Sequence, residues 1–230
     1  MSFVTVPVHL GIIPDGNRRW ARSKNRPTLE GHRRGMDVAK EIAAAAFDRG
    51  VKYFTIFGFS TENWQRAKDE VGYLMELWYT LLVSEFGELE KRGARFRLLG
   101  SRDGLSKKLL KAIDEAEERT KDNKNGTVGL CLNYGGRAEL ADAVRSIVRA
   151  GVKPAEIDPG VIEQHLYAPE IPPVDLLLRT SGELRLSGFM LWRVAYAEMY
   201  FVDKHWPDFT VSDLDTAFEE YTTRHRRFGN

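Results

Sequence analysis

Short apolar runs recur along the chain, each followed by a stretch whose apolar residues fall at helical spacing. "VHLGII" is β-branched, unbroken and bounded by Pro14 and Gly16, the pattern of a buried strand. "MDVAKEIAAAAFDRG" combines helical periodicity with good helix formers and stops at Gly50. "YFTIFGFS" predicts a second strand, and "VGYLMELWYTLLVSEFGELEKRG" one long helix ending at Gly93. "RFRLLG" and "TVGLCLNYGG" read as strands, separated by the solvated helix "SKKLLKAIDEAEERTKD". Helices follow at "RAELADAVRSIVRA" and "DPGVIEQHLY", the latter with Pro159 near its first turn. "VDLLLRTSG" and "AEMYFVD" supply two more strands, and a last helix spans about Val211 to Tyr221. Strands that alternate with helices and are apolar throughout predict a mostly parallel sheet of about six strands covered on both faces, an α/β fold.

Composition narrows the function classes. With 230 residues, 43% of them hydrophobic, the chain can bury one large core, so residues 1–230 are expected to form a single domain. The 34 basic and 33 acidic residues balance, which argues against a dedicated nucleic-acid binder. Cys131 lies in an apolar stretch, where it reads as a small buried hydrophobe. No positively charged leader and no apolar run near the ~20 residues of a membrane span occur, so a cytoplasmic protein is expected. His9, His165, His205 and His225 show no zinc-ligand spacing, and no G-x-x-x-x-G-K-[ST] phosphate loop is present.

Against that balanced background, "IIPDGNRRWARSKNRPTLEGHRRG" sets one carboxylate among six arginines. Ligands of open parallel sheets bind beyond the carboxyl ends of the strands, so the residues following each apolar run carry the chemistry. They are Asp15, Gly16, Asn17, Arg18 and Arg19 after the first; Ser60, Thr61, Glu62, Asn63, Trp64 and Arg66 after the second. Asn133 to Arg137 follow the fourth, and Arg179, Ser181, Gly182, Glu183, Arg185 and Ser187 the fifth. Guanidinium forks bind phosphate oxygens bidentately, and a glycine turn opening a helix offers free N–H groups. A lone Asp15 makes sense if it holds a divalent cation against those phosphates, because Mg²⁺ takes one or two carboxylates plus substrate oxygens. These features point to a diphosphate substrate.

The blocks "HLGIIPDGNRRWA", "GHRRG", "FGFSTENWQR", "LNYGGR", "RTSGELRLSGFMLW" and "YAEMYFVDKHWPDF" resemble, in order and over nearly the whole chain, those of the cis-prenyltransferases, or Z-type isoprenyl diphosphate synthases. The resemblance implies that isopentenyl diphosphate is added to an allylic diphosphate primer, geranyl or farnesyl, to give a cis-polyprenyl diphosphate. It also implies Mg²⁺, a homodimer, a hydrophobic tunnel for the chain, and peripheral membrane association through a long product. Carried over to these positions, Asp15 and Asn63 are catalytic, and Asp15 and Glu198 serve the metal. Gly16, Asn17, Arg18, Arg19, Trp20 and His32 bind the allylic diphosphate, and Arg179, Arg185 and Ser187 the isopentenyl diphosphate. Ser60, Thr61, Glu62, Trp64 and Arg66 lie on a segment joining the two. Asn63 is too weakly basic to be an obvious proton acceptor, and a diphosphate oxygen is an equal candidate.

Plainer roles compete: Asp15 as a helix cap, His32 as a structural histidine, Trp64 as packing, and Glu183 as a structural partner of the arginines. Thr28, Leu184, Ala67 and Arg18 depart from common family residues and leave primer preference open. Gly58 suggests an open tunnel mouth and Leu132 a narrowed one. A scaffold subunit would be expected to lose Asp15 or "RTSGELR", and both are intact. A short-chain or irregular-coupling synthase of the same family is the nearest alternative.

Overall fold

The computed structural model describes residues 4–224; Arg226 and Arg227 of the charged terminal "RHRRFG", to which the family resemblance gives a role at a dimeric site, lie outside them. Six strands form one sheet: β1 (His9–Ile13), β2 (Tyr53–Ser60), β3 (Ala94–Leu99), β4 (Gly126–Tyr134), β5 (Leu176–Thr180) and β6 (Glu198–Val202). Their order is β3-β4-β2-β1-β5-β6 and every neighbouring pair is parallel. β1 and β5 are buried at every position, as unbroken apolar runs require when both faces are covered.

Side-chain alternation divides the core between the two faces. Leu10 and Ile12, Phe54 and Ile56, Leu176 and Leu178 point to one face, which is covered by α2 (Thr28–Asp48), α3 (Lys68–Thr80), α5 (Lys107–Thr120) and α8 (Val211–Thr223). Ile13, Cys131 and Leu177 point to the other, against Ile171, Phe189, Met190 and Val194. α6 (Gly136–Arg149) belongs to this second side: its Glu139 is buried, pairs with Arg193 at 2.9 Å, and accepts from Tyr134 Oη at 2.5 Å. α1 (Asn17–Ser23) packs on α2, α4 (Gly87–Lys91) on β3, and α7 (Pro159–Gln164) on α6.

Two elements differ from the periodicity reading. α2 begins at Thr28, eight residues before the predicted Met36, because Gly31 and Gly35 are helical here. Their missing side chains let α1 lie directly on α2: a Cβ at Gly31 would stand 2.2 Å from the Asn17 carbonyl oxygen, and one at Gly35 2.5 Å from Asn17 Oδ1. The single long helix predicted up to Gly93 is interrupted. Leu81–Glu85 form a π-helical turn between α3 and α4, closed by Phe86 N–H donating to the Leu81 carbonyl at 2.7 Å.

Strand order sets the site. After β1 the chain moves to β2 on one side, and after β5 to β6 on the other, so the crevice beyond the carboxyl ends of β1 and β5 is the topological switch point. Ile13 and Arg179 are register partners there, which brings Asp15 opposite the end of β5.

Candidate active site

A cavity of about 610 Å³ opens at that switch point, within the size range of small-ligand pockets. It has two ends of opposite character. One is lined by Asp15 and by Arg18, Arg19, Arg22, Arg66, Arg179 and Arg185; the other by Met36, Ala39, Ile56, Leu74, Leu77 and Trp78 from β2, α2 and α3.

Asp15 sits on a turn locked from three directions. Thr180 Oγ1 accepts from its N–H at 2.9 Å and donates to its carbonyl at 2.7 Å, and Trp206 N–H donates to the same carbonyl at 3.0 Å. The next residue, Gly16, has φ +103°, and a Cβ there would meet Ser181 Oγ at 2.4 Å. Only glycine fits both the backbone and the space. Asp15 does not cap α1, since Gly16 is the N-cap residue and no side-chain cap is made; its Oδ1 accepts from Gly16 N–H at 2.7 Å.

The Asp15 carboxylate meets Arg179 at 2.9 Å through Oδ2 and Arg19 at 3.2 Å through Oδ1. Burial alone would raise its pKa, but the Arg179 hydrogen bond and the charge of Arg19 outweigh that and hold it below the ordinary aspartate value. Arg179 is almost fully buried; it also donates to Ser187 Oγ at 2.9 Å and to the Arg185 carbonyl, while its Nε has no partner among the described residues. Glu183 bridges Arg19, at 2.8 Å, and Arg185.

A second cluster forms around Glu70, in the first turn of α3. It accepts from His32 Nε2 at 3.0 Å and Arg66 at 3.2 Å, with Arg18 at 3.9 Å. Burial lowers the pKa of His32 more than the neighbouring Glu70 carboxylate raises it. Glu70 was not singled out from the sequence, because an acid in a first helical turn is what the helix dipole alone selects.

Asn63 and Ser60 close a 3-10 turn in which Asn63 Oδ1 accepts from Ser60 N–H at 3.1 Å. With its oxygen occupied, Asn63 offers the cavity a donor and not a base. Thr61, Glu62 and Trp64 lie on the same turn but outside the cavity lining; Trp64 donates to Asn133 Oδ1 at 2.7 Å and packs edge-on to Phe59. Trp20 is buried and donates to Asp208 Oδ1 at 2.7 Å, anchoring α1, and also stays outside the lining. Glu198 opens β6 beside Leu176, three residues before the level of Arg179, and its carboxylate faces Arg224 at 3.5 Å. Three residues of strand are roughly 10 Å, so a single chain does not bring Glu198 to Asp15.

Among the described residues no three His, Cys, Asp or Glu side chains gather as a metal cage. A lone ionised carboxylate, partly exposed to the cavity, fits a hard cation that arrives with phosphate oxygens and water as its main ligands, the habit of Mg²⁺.

Fold and site together define a parallel α/β protein built to take a ligand with an anionic head and a hydrocarbon tail. The chain belongs to the undecaprenyl diphosphate synthase family, whose model, described as putative undecaprenyl diphosphate synthase, matches residues 13–229. An isoprenyl transferase of Thermotoga maritima is 45% identical over 226 residues, 97% of each chain. A farnesyl-diphosphate-specific ditrans,polycis-undecaprenyl-diphosphate synthase of Vibrio parahaemolyticus is 42% identical over 98% of this chain and 91% of its own. The crystal structure of lavandulyl diphosphate synthase from Lavandula x intermedia, in complex with dimethylallyl diphosphate, superposes with a TM-score of 0.94 at 37% identity, covering 98% of this chain and 99% of that one. The chain is a cis-prenyltransferase that condenses isopentenyl diphosphate with an allylic diphosphate.

Proposed function

We propose that residues 1–230 act as one catalytic domain that elongates a geranyl or farnesyl diphosphate primer, with Mg²⁺ carried at Asp15. The observation that supports this most is the two-ended cavity: six arginines and one carboxylate at one end, an apolar wall at the other. The primer's diphosphate lies among Gly16, Asn17, Arg18, Arg19 and the Glu70 cluster with His32 and Arg66, and its tail lies against Leu74, Leu77 and Trp78. Isopentenyl diphosphate is held by Arg179, Arg185 and Ser187.

In the condensation the allylic C–O bond breaks as the terminal alkene carbon of isopentenyl diphosphate attacks the allylic carbon. A proton is then lost from the new unit, and diphosphate leaves. Preorganised guanidinium groups lower the barrier because they are aimed at charge that grows on the departing oxygens. Mg²⁺, when bound, adds Lewis-acid stabilisation of the same leaving group. Asn63 donates a hydrogen bond and orients substrate, and the proton acceptor is a diphosphate oxygen. The enzyme works as a homodimer, in the cytoplasm, and a long product draws it to the membrane surface; no helix among the described residues is long and apolar enough to cross a membrane.

Asp15→Asn is the test of choice. Alanine would leave the buried Arg179 without its carboxylate, a stability loss that would confuse the result. The near-isosteric amide keeps the shape and one acceptor oxygen but not the charge, so the fold should persist with a smaller stability loss than alanine would cause, while turnover falls about 10²–10³-fold. Near-normal turnover would sink the assignment. The likeness to a lavandulyl synthase supports a second reading, coupling of two allylic units. Product formed from dimethylallyl diphosphate alone would favour it, whereas a ladder that needs isopentenyl diphosphate favours elongation.

A further inference from the structure

Beyond the apolar end of the cavity lies a second, smaller pocket of about 30 Å³, enough for roughly two water molecules. The two share the side chains of Met36, Ala39, Ile56 and Trp78. Trp78 is the largest of the four. Its indole fills the space a side chain at Gly58 would take, 2.6 Å from where that Cβ would be, and its Nε1 is buried with no partner among the described residues.

The walls of the second pocket are aliphatic and aromatic apart from Lys40. The stem of Lys40 lines the pocket while Nζ leaves it, reaching Glu85 at 2.6 Å and Asp37 at 2.9 Å. Arg33 meets the other oxygen of Glu85 at 3.0 Å. Glu85 is the last residue of the π-helical turn, and Leu81 and Phe86, at the two ends of that turn, line the same pocket. The wall facing α2 is therefore a stretch where the helical ladder is already interrupted, a feature that recurs at functional sites. Ion pairs tie it to α2.

The geometry points to the Lys40–Glu85 pair as a latch that limits how long a prenyl chain this enzyme makes. This rests on the reading that the apolar end receives the growing tail. A tail that displaces the Trp78 indole enters a pocket too small for a further five-carbon unit unless the π turn parts from α2, and the latch opposes that parting. Neither residue touches the cationic end of the cavity.

The test is product sizing with the full chain, Mg²⁺, labelled isopentenyl diphosphate and an allylic primer, for wild type, Lys40→Met, Glu85→Gln and Lys40→Arg. Lys40→Met and Glu85→Gln should lengthen the main product by at least one five-carbon unit, with the rate of the first condensation within about twofold of wild type. Lys40→Arg, which keeps the pair, should keep the length. Should Lys40→Met fail to fold by circular dichroism, the isosteric Glu85→Gln decides. Unchanged or shorter products with normal incorporation would overturn the latch alone. Absence of incorporation by the wild-type enzyme would instead strike the elongation reading, and the latch with it.

Discussion

Two guanidinium groups, Arg19 four residues on and Arg179 another 160 beyond it, hold the Asp15 carboxyl below the ordinary aspartate pKa against the opposing effect of burial. Arginines and a carboxylate after apolar runs are visible in a sequence, and so this half of the site was legible there. The side to which a residue turns was not. Trp20 donates to Asp208, away from the cavity, and Glu198 stands three residues along β6 from the level of Arg179, facing Arg224. His9 lies in the core, away from the cavity. It is fully buried between the Pro172 carbonyl and Thr55 Oγ1, each at 2.8 Å, and burial drives its pKa down to about 4. In the unfolded chain the ring binds a proton near pH 6.5, so the unfolded state holds more protons between those values and stability must fall as pH drops through that window. The loss from this residue between pH 7 and pH 4.5 should be roughly 2–3 kcal/mol. Urea unfolding at both pH values, on wild type and His9→Gln, checks it: the variant should lack that part of the pH dependence, and an equal slope in both would exclude His9 as the source.

At the scale of elements, glycine was the main source of misreading. "TLEGHRRG" looks like a loop because two glycines punctuate it. In the folded chain those glycines are the contact surface between α1 and α2, and contact across 14 residues of sequence is invisible to local propensity. Gly31→Ala would push its Cβ into a backbone oxygen, which has nowhere to retreat. It should cost about 1–3 kcal/mol and lower kcat/KM, since α1 carries Asn17 to Arg19. Gly72, inside α3 with open space around it, is the matched control: Gly72→Ala should stabilise by about 0.5–1 kcal/mol and leave kinetics unchanged. Urea titration and steady-state kinetics on both variants separate close packing from mere helix propensity. The π turn escaped notice for a different reason. Helical periodicity survives one inserted residue well enough that "LLVSEF" still looks continuous.

For the whole molecule, the alternation of strands and helices announced a parallel sheet, but not the strand order. Six strands can be ordered many ways, and the one adopted puts the arginine-bearing loops after β1 and β5 at a single crevice. A ligand held there ties the two sides of the sheet together, so binding should stabilise the entire fold. Inorganic diphosphate with Mg²⁺ at 100 times its Kd should add about 2.7 kcal/mol to unfolding stability, read as a rise in Tm. Chelation of the metal should remove most of that rise, and Asp15→Asn should show little of it in either condition. An equal rise with and without chelator would show that the arginines bind diphosphate unaided.

The adjacency of β1 and β5 has a consequence for the chain's birth. Asp15 and Arg179 are 164 residues apart, and at ~5–20 residues per second a ribosome takes roughly 8–33 seconds to supply the second after the first. Through that interval β1, destined for the middle of the sheet, presents an apolar edge with no neighbour on one side, the kind of edge that recruits other chains. A nascent polypeptide of this protein is thus an aggregation hazard and a blank catalyst at once, and both conditions end when the same late strand docks.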